Sequence, residues 1–267
     1  MKRIPAAATL LLVLGAMSPA WANDAKPDIS KYMVGEKKSG YIYAEPETRS
    51  MQDDDFSNPG MLWVDAGMAE WSKVDGEAGK SCQSCHKDAA KSMKGVGTRY
   101  PMYDPGKKKL VALEHRINMC RKANMKAKPF KWESKALLGL TAYVKTQSRG
   151  MPMKVSIDGP AKEFFEKGKA FYYQRRGQLD LACSHCHEDL HDIHIRAEKL
   201  SQGMNNGFPT YRLKKQGMLS FQKRIQGCNK NIRAEPYPPG SDEYTNLELY
   251  VAWRASGLPV ETPSVRK

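Results

Sequence analysis

Cys82-Gln-Ser-Cys85-His86 and Cys183-Ser-His-Cys186-His187 are two copies of one pattern, C-x-x-C-H, and they decide how the rest of the chain is read. Two thiols three residues apart can form thioether bonds to a porphyrin, and the adjacent histidine is then held where its imidazole ligates iron. Two redox C-x-x-C sites, or two sets of zinc ligands with histidines adjacent by accident, are the competing reading. That reading calls for βαβ patterns around the motifs, and none is present. The expectation is two covalently bound c-type haems, held by Cys82 and Cys85 and by Cys183 and Cys186, with His86 and His187 as iron ligands.

The surroundings of the motifs repeat as well. Pro59 and Pro160 each stand 23 residues before the first cysteine of their motif, Gly67 and Gly168 15 before it, and the aromatic Trp71 and Tyr172 11 before it. Asn58 or Gly159 followed by proline predicts a helix start in each half. On that helix the glycine and the aromatic lie four apart, on one face. The glycine permits close helix contact, and the ring packs either toward the haem or in an ordinary core. Downstream, Tyr100-Pro101-x-Tyr103 recurs as Phe208-Pro209-x-Tyr211, and Arg116-Ile117-Asn118-Met119-Cys120 recurs as Arg224-Ile225-Gln226-Gly227-Cys228. Tyr143-Val144 and Tyr250-Val251 fall on a closing helix, and Thr245 with Glu248 reads as a capping box in the second copy. The fold class expected is mostly α: two cytochrome c-like domains related by internal duplication, spanning 58–153 and 154–267. Residues 23–57 form a polar N-terminal extension that packs across the domains or meets a partner. The second copy has seven more residues between histidine and proline, in a connection that starts HEDLHDIHIRA, whose His191 and His194 read as exposed loop histidines, with a thin metal-binding cluster as the alternative.

Lys2 and Arg3, an apolar run too short to span a bilayer and Ala20-Trp21-Ala22 make residues 1–22 a cleavable secretory signal, with cleavage expected after Ala22. The periplasm is the expected compartment, with no membrane span in the mature chain. Net charge is +14 over 267 residues and falls to +12 without Lys2 and Arg3. Charge alone admits a nucleic-acid protein, but the compartment argues against one. The surplus suits an anionic substrate or an acidic partner protein.

An electron-transfer haem takes a sixth ligand, usually Met or His. Aligning the halves on the shared proline and cysteine pairs no Met with Met and no His with His: Met119 meets Gly227, Met218 meets Leu110, His115 meets Lys223. Only Cys120 and Cys228 occupy equivalent places. They either join the halves in a disulfide or ligate iron, and axial thiolate from each is the expectation. A thiolate donates strongly and lowers the potential of its haem.

With its signal, two C-x-x-C-H motifs, a later cysteine in each half and Arg224 four residues before Cys228, the mature chain resembles the SoxA family of SoxAX cytochromes. The resemblance implies an enzyme, an L-cysteine S-thiosulfotransferase, that joins thiosulfate to a cysteine of the SoxYZ carrier and passes two electrons to a c-type cytochrome. It also implies that Cys228 is both ligand and catalytic residue, found as a persulfide, that Arg224 binds substrate, and that a monohaem SoxX cytochrome is the partner subunit. Physically, thiosulfate is a dianion whose sulfonate oxygens match a guanidinium fork, and Lys223 and Lys230 flank the site with further charge. Arg116 precedes Cys120 as Arg224 precedes Cys228, so the arginine does not say which half is catalytic. Gly227 leaves room for substrate where Met119 shields, and the resemblance points to the second half. A pure electron carrier and a dihaem peroxidase are the other functions these motifs admit.

Overall fold

The computed structural model describes residues 28–195 and 198–267, so the signal expected at 1–22 lies outside the described residues. The helices, in chain order, are α1 (Pro46–Asp53), α2 (Met61–Ser72), α3 (Cys82–His86), α4 (Ala89–Ser92), α5 (Leu113–Cys120), α6 (Lys135–Thr146), α7 (Lys162–Tyr173), α8 (Phe221–Asn231) and α9 (Asp242–Arg254).

Each half is built on one tight helix pair, α2 on α6 and α7 on α9. Glycine makes both possible. A Cβ on Gly67 would sit 2.0 Å from the Gly139 carbonyl oxygen, and one on Gly168 would sit 2.0 Å from that of Asn246, so the helices touch backbone to backbone. Around these pairs lie two cores, one with Trp71, Leu113, Ile117, Leu137 and Leu140, the other with Phe165, Tyr172, Phe221, Ile225, Leu247 and Tyr250. Tyr143-Val144 and Tyr250-Val251 fall on the closing helices α6 and α9, where the repeat puts them.

The helix starts differ from the sequence expectation. Regular helix begins at Met61, with Pro59 in a preceding turn closed by Asn58 Oδ1 accepting from Gly60 N at 2.9 Å. In the second half a short 3₁₀ turn, Gly159–Ala161, leads into α7. The capping box read from Thr245 and Glu248 is not one. Ser241 caps α9, its Oγ accepting from Tyr244 N at 3.3 Å, and Asp242 and Glu243 in the first turn favour the helix dipole. Thr245 is already inside, bonding back to the Ser241 carbonyl at 2.8 Å.

Both Tyr100-Pro101 and Phe208-Pro209 are cis peptides, each opening a hairpin. Strand Met102–Asp104 pairs with Lys109–Val111 and strand Thr210–Arg212 with Gly217–Leu219, in the same register: Tyr103 faces Leu110 as Tyr211 faces Met218. Met218 is therefore a core strand residue. The C-terminal strand Ser264–Arg266 adds in parallel to Thr210–Arg212.

The N-terminal extension packs inward onto this C-terminal strand. Gln52 accepts from Val265 N at 3.1 Å and donates to Glu261 at 3.2 Å, and Asn58 donates to the Pro263 carbonyl at 2.9 Å. Glu261, nearly without solvent exposure, is met by Ser39, Gln52, Asn206 and Arg266, which is how a buried carboxylate is tolerated. The ends of the two halves also pair, with Met153 N donating to the Leu258 carbonyl and Val260 N to that of Met151, both at 2.9 Å.

Candidate functional site

No two of the six cysteines are joined in a disulfide, and they fall into two groups of three. Cys120 lies in charge contact with Cys82 and Cys85, and Cys228 with Cys183 and Cys186. The last turn of α5 and the middle of α8 bring the later cysteine of each half to its own C-x-x-C-H turn. The sulfur and imidazole set at each turn is that of a covalently bound haem, so the donor chemistry fits the group.

The first turn is capped by Ser81 and Ser84, each side chain bonding the other's backbone N–H. The second is organised by His185, whose Nδ1 accepts from Ala182 N at 2.9 Å, in the place of Ser84. That accounts for a histidine at this position in one half and a serine in the other.

The two motif histidines are held differently. His187 Nδ1 donates to the Ser201 carbonyl at 2.7 Å, which fixes the tautomer and leaves Nε2 as the free lone pair. Gly203, at φ +72°, brings backbone against the ring: a Cβ there would lie 2.8 Å from His187 Cγ. His86 instead rests on the Trp71 indole, ring centroids 5.7 Å apart, with Trp71 Nε1 donating to the Lys87 carbonyl at 3.2 Å. Tyr172, at the place of Trp71, packs on Tyr250 in the core.

The later cysteines sit in different electrostatic surroundings, for a reason that the two halves of the sequence contain. Arg116 Nη2 donates to Asp104 Oδ2 at 2.6 Å, and Asp104 is pinned in its own hairpin turn by Lys107 N at 2.9 Å. Burial pushes the Cys120 thiol up, with Arg116 opposing it only in part. Three residues after the shared proline, where the first half has Asp104, the second has Arg212. Arg224 therefore faces a second guanidinium, and the carboxylate near it, that of Glu198, stands off at 4.0 Å. Burial pushes the Cys228 thiol up as well, but the charges of Arg224, His187 and Arg212 outweigh it and bring it down to about 7.

Arg212 and its neighbours Lys214 and Glu198 were not among the residues singled out from sequence; opposite signs at positions 104 and 212 were the available signal. Lys223 and Lys230, expected to flank the site, are exposed, and Lys223 Nζ turns to Gln226 at 3.1 Å. Gly227 leaves open space, since a Cβ there would meet only Arg224 Nη1 at 4.0 Å. His194 is exposed and His191 pairs with Asp192 at 2.9 Å; among the described residues no three or more His, Cys, Asp or Glu side chains form a group that could hold a metal ion. No helix among the described residues is long and apolar enough to cross a membrane.

Two helical units, each closing on a C-x-x-C-H turn, define a tandem c-type cytochrome with covalently bound haem. The family model for the SoxA/TsdA cytochrome c domain matches it twice, over residues 66–153 and 167–260. The L-cysteine S-thiosulfotransferase subunit SoxA of Pseudaminobacter salicylatoxidans is 50% identical over 230 residues, which are 86% of this chain and 80% of that protein. The SoxA subunit of Paracoccus pantotrophus is 44% identical over 228 residues, 85% of this chain and 78% of that one. The crystal structure of SoxXA from P. pantotrophus superposes with a TM-score of 0.84 at 43% identity, covering 86% of this chain and 87% of the other. The chain belongs to the SoxA family.

Proposed function

We propose that this chain is the catalytic subunit of a periplasmic L-cysteine S-thiosulfotransferase. It carries two haems, one enclosed by residues 58–153 and one by 154–267, after export directed by residues 1–22. His86 and Cys120 would hold the iron in the first half, and His187 and Cys228 in the second. The substrates are thiosulfate and a cysteine thiol of a SoxYZ-type carrier, and a SoxX-type monohaem cytochrome is the companion subunit. The reaction joins the outer sulfur of thiosulfate to the carrier sulfur: S₂O₃²⁻ and RSH give RS–S₂O₃⁻, two electrons and one proton, the electrons leaving to a c-type cytochrome. A haem bound at the second turn supplies a path for electrons released as the S–S bond forms.

The chain's own residues divide the remaining work. Arg224 holds the sulfonate end of thiosulfate through its planar fork. Cys228, carrying an extra sulfur as a persulfide, presents sulfur to the incoming sulfur atoms. His187, its Nδ1–H committed to the Ser201 carbonyl, keeps the Nε2 lone pair free as the donor that would hold the iron. The space beside Gly227 admits a carrier's thiol arm. The observation that carries this reading is the contrast between the halves: Arg116 is held by Asp104 at 2.6 Å, whereas Arg224 faces Arg212 and meets a carboxylate, Glu198, only at 4.0 Å.

Thiosulfate-dependent loading of the carrier, read by intact mass together with cytochrome c reduction, tests it. Cys228→Ala lowers loading by on the order of a thousandfold or more, and Cys120→Ala keeps it within about tenfold of wild type. Equal losses in the two variants would remove the assignment to the second half.

A further inference from the structure

The extra residues of the second half form a short hairpin, His194–Ile195 paired with Glu198–Lys199. This hairpin brings one carboxylate to the cations beside Cys228. Glu198 Oε1 accepts from Arg212 Nη2 at 3.0 Å and from Lys214 Nζ at 2.9 Å, and Glu198 Oε2 lies 4.0 Å from Arg224 Nη2. The cations come from the strand Thr210–Arg212, the turn after it and α8. A carboxylate among three cations stands where the local potential is most favourable to an anion.

We infer that Glu198 is an internal competitor for the sulfonate of the substrate: without thiosulfate its carboxylate occupies the Arg212, Lys214 and Arg224 cluster, and the dianion binds by taking over those donors. This rests on the assignment of thiosulfate to the Cys228 half.

Three features make Glu198 exchangeable where Asp104 is not. Asp104 lies within the hairpin it braces, with a side chain only 10% exposed, and it is held by Arg116 and a backbone N–H at once. Glu198 comes from a separate hairpin, its side chain 29% and that of Lys214 54% exposed, so solvent weakens the pairing. Its Oε2 makes no hydrogen bond to Arg224 at 4.0 Å, so among the described residues the fork of that guanidinium has no hydrogen-bond partner and can take a bidentate ligand. A sulfonate has the oxygens to bridge two guanidinium groups at once, and a monovalent halide does not.

Calorimetric titration of thiosulfate, and of sulfate as an inert probe, into the haem-loaded full chain tests the inference. Glu198→Gln tightens both ligands by about threefold to tenfold, and the KM for thiosulfate falls in parallel. Glu198→Asp keeps the charge but shortens the reach, so it tightens binding less than the glutamine variant while preserving more of the local pairing. Binding unchanged or weakened in both variants overturns the competitor role. Arg224→Ala separates this from the underlying assignment: if that variant binds thiosulfate as wild type does, the second half is not the site. Loss of binding in Arg224→Ala with no effect of either Glu198 variant removes the competitor alone.

Discussion

Replacing Gly168 by alanine tests the helix contact on which the second half is built. The added Cβ would lie 2.0 Å from the Asn246 carbonyl oxygen and 2.6 Å from its carbon, both backbone atoms of α9. An ordinary Cβ contact begins at 3.4 Å, so α7 and α9 must part by roughly 1.4 Å along that line. Overpacking of this kind costs about 1–3 kcal/mol, here toward the upper end because the obstructing group is backbone and cannot rotate away. For a chain of this size each kcal/mol moves the melting temperature by about 2–4 °C, so Gly168→Ala lowers it by roughly 5–10 °C. The same substitution at Gly227 runs the other way. There the Cβ meets only a guanidinium nitrogen at 4.0 Å inside α8, and alanine exceeds glycine in helix propensity by about 1 kcal/mol. Thermal unfolding of the haem-loaded protein, followed by far-ultraviolet circular dichroism, reads both. A Gly168→Ala protein melting within 1 °C of wild type would show that the helices are not in backbone contact and refute the reasoning.

Two further variants probe charge and geometry. Arg224→Lys keeps the positive charge but loses the fork, and a charge-assisted bidentate contact is worth about 1.5–3 kcal/mol; steady-state kinetics then show KM for thiosulfate raised by about tenfold or more, and wild-type kinetics would remove Arg224 from the site. Between the halves, burial first and the charge of Glu114 second push Glu248 up to about 8, with Gln222 and Lys145 opposing. Lys145 and Glu114 face it in the same buried cluster, where burial lowers the lysine and raises the glutamate, and Glu133 faces Glu114. A carboxyl whose folded pKa lies above its unfolded value near 4.5 contributes stability that is present below that value and lost as pH rises toward 8. Glu248→Gln accordingly flattens the fall of denaturant midpoint between about pH 5 and 8, and an undiminished slope would mean that Glu248 does not carry it.

Much of the fold is legible because the chain states it twice. The 23-, 15- and 11-residue spacings before each motif mark the same helix with the same glycine, and Gly67 and Gly168 do sit at the closest approach of their helix pairs. Helix starts were less legible. Thr245 and Glu248 have the spacing of a capping box, yet Ser241 four residues earlier takes that role, and Glu248 goes to the interior where Gln222 donates to it at 2.9 Å. A local pattern cannot tell a cap from a buried polar pair, because burial is decided by what packs on the other side. The extension was undecided for the same reason: Gln52 finds its partners, Glu261 and Val265, more than 200 residues away.

The sequence by itself determined what depends on neighbours in the chain: two C-x-x-C-H turns, a duplicated helical frame around them and a matched later cysteine in each half. Thioether chemistry and helical spacing act over a few residues, so short range suffices. The folded chain decides how Arg116 and Arg224, each four residues before its cysteine, come to differ. One is neutralised by Asp104 across its hairpin, and the other meets Arg212 and the carboxylate of Glu198, brought from a separate hairpin. Coulomb interactions depend on separation in space, and separation in sequence does not report it.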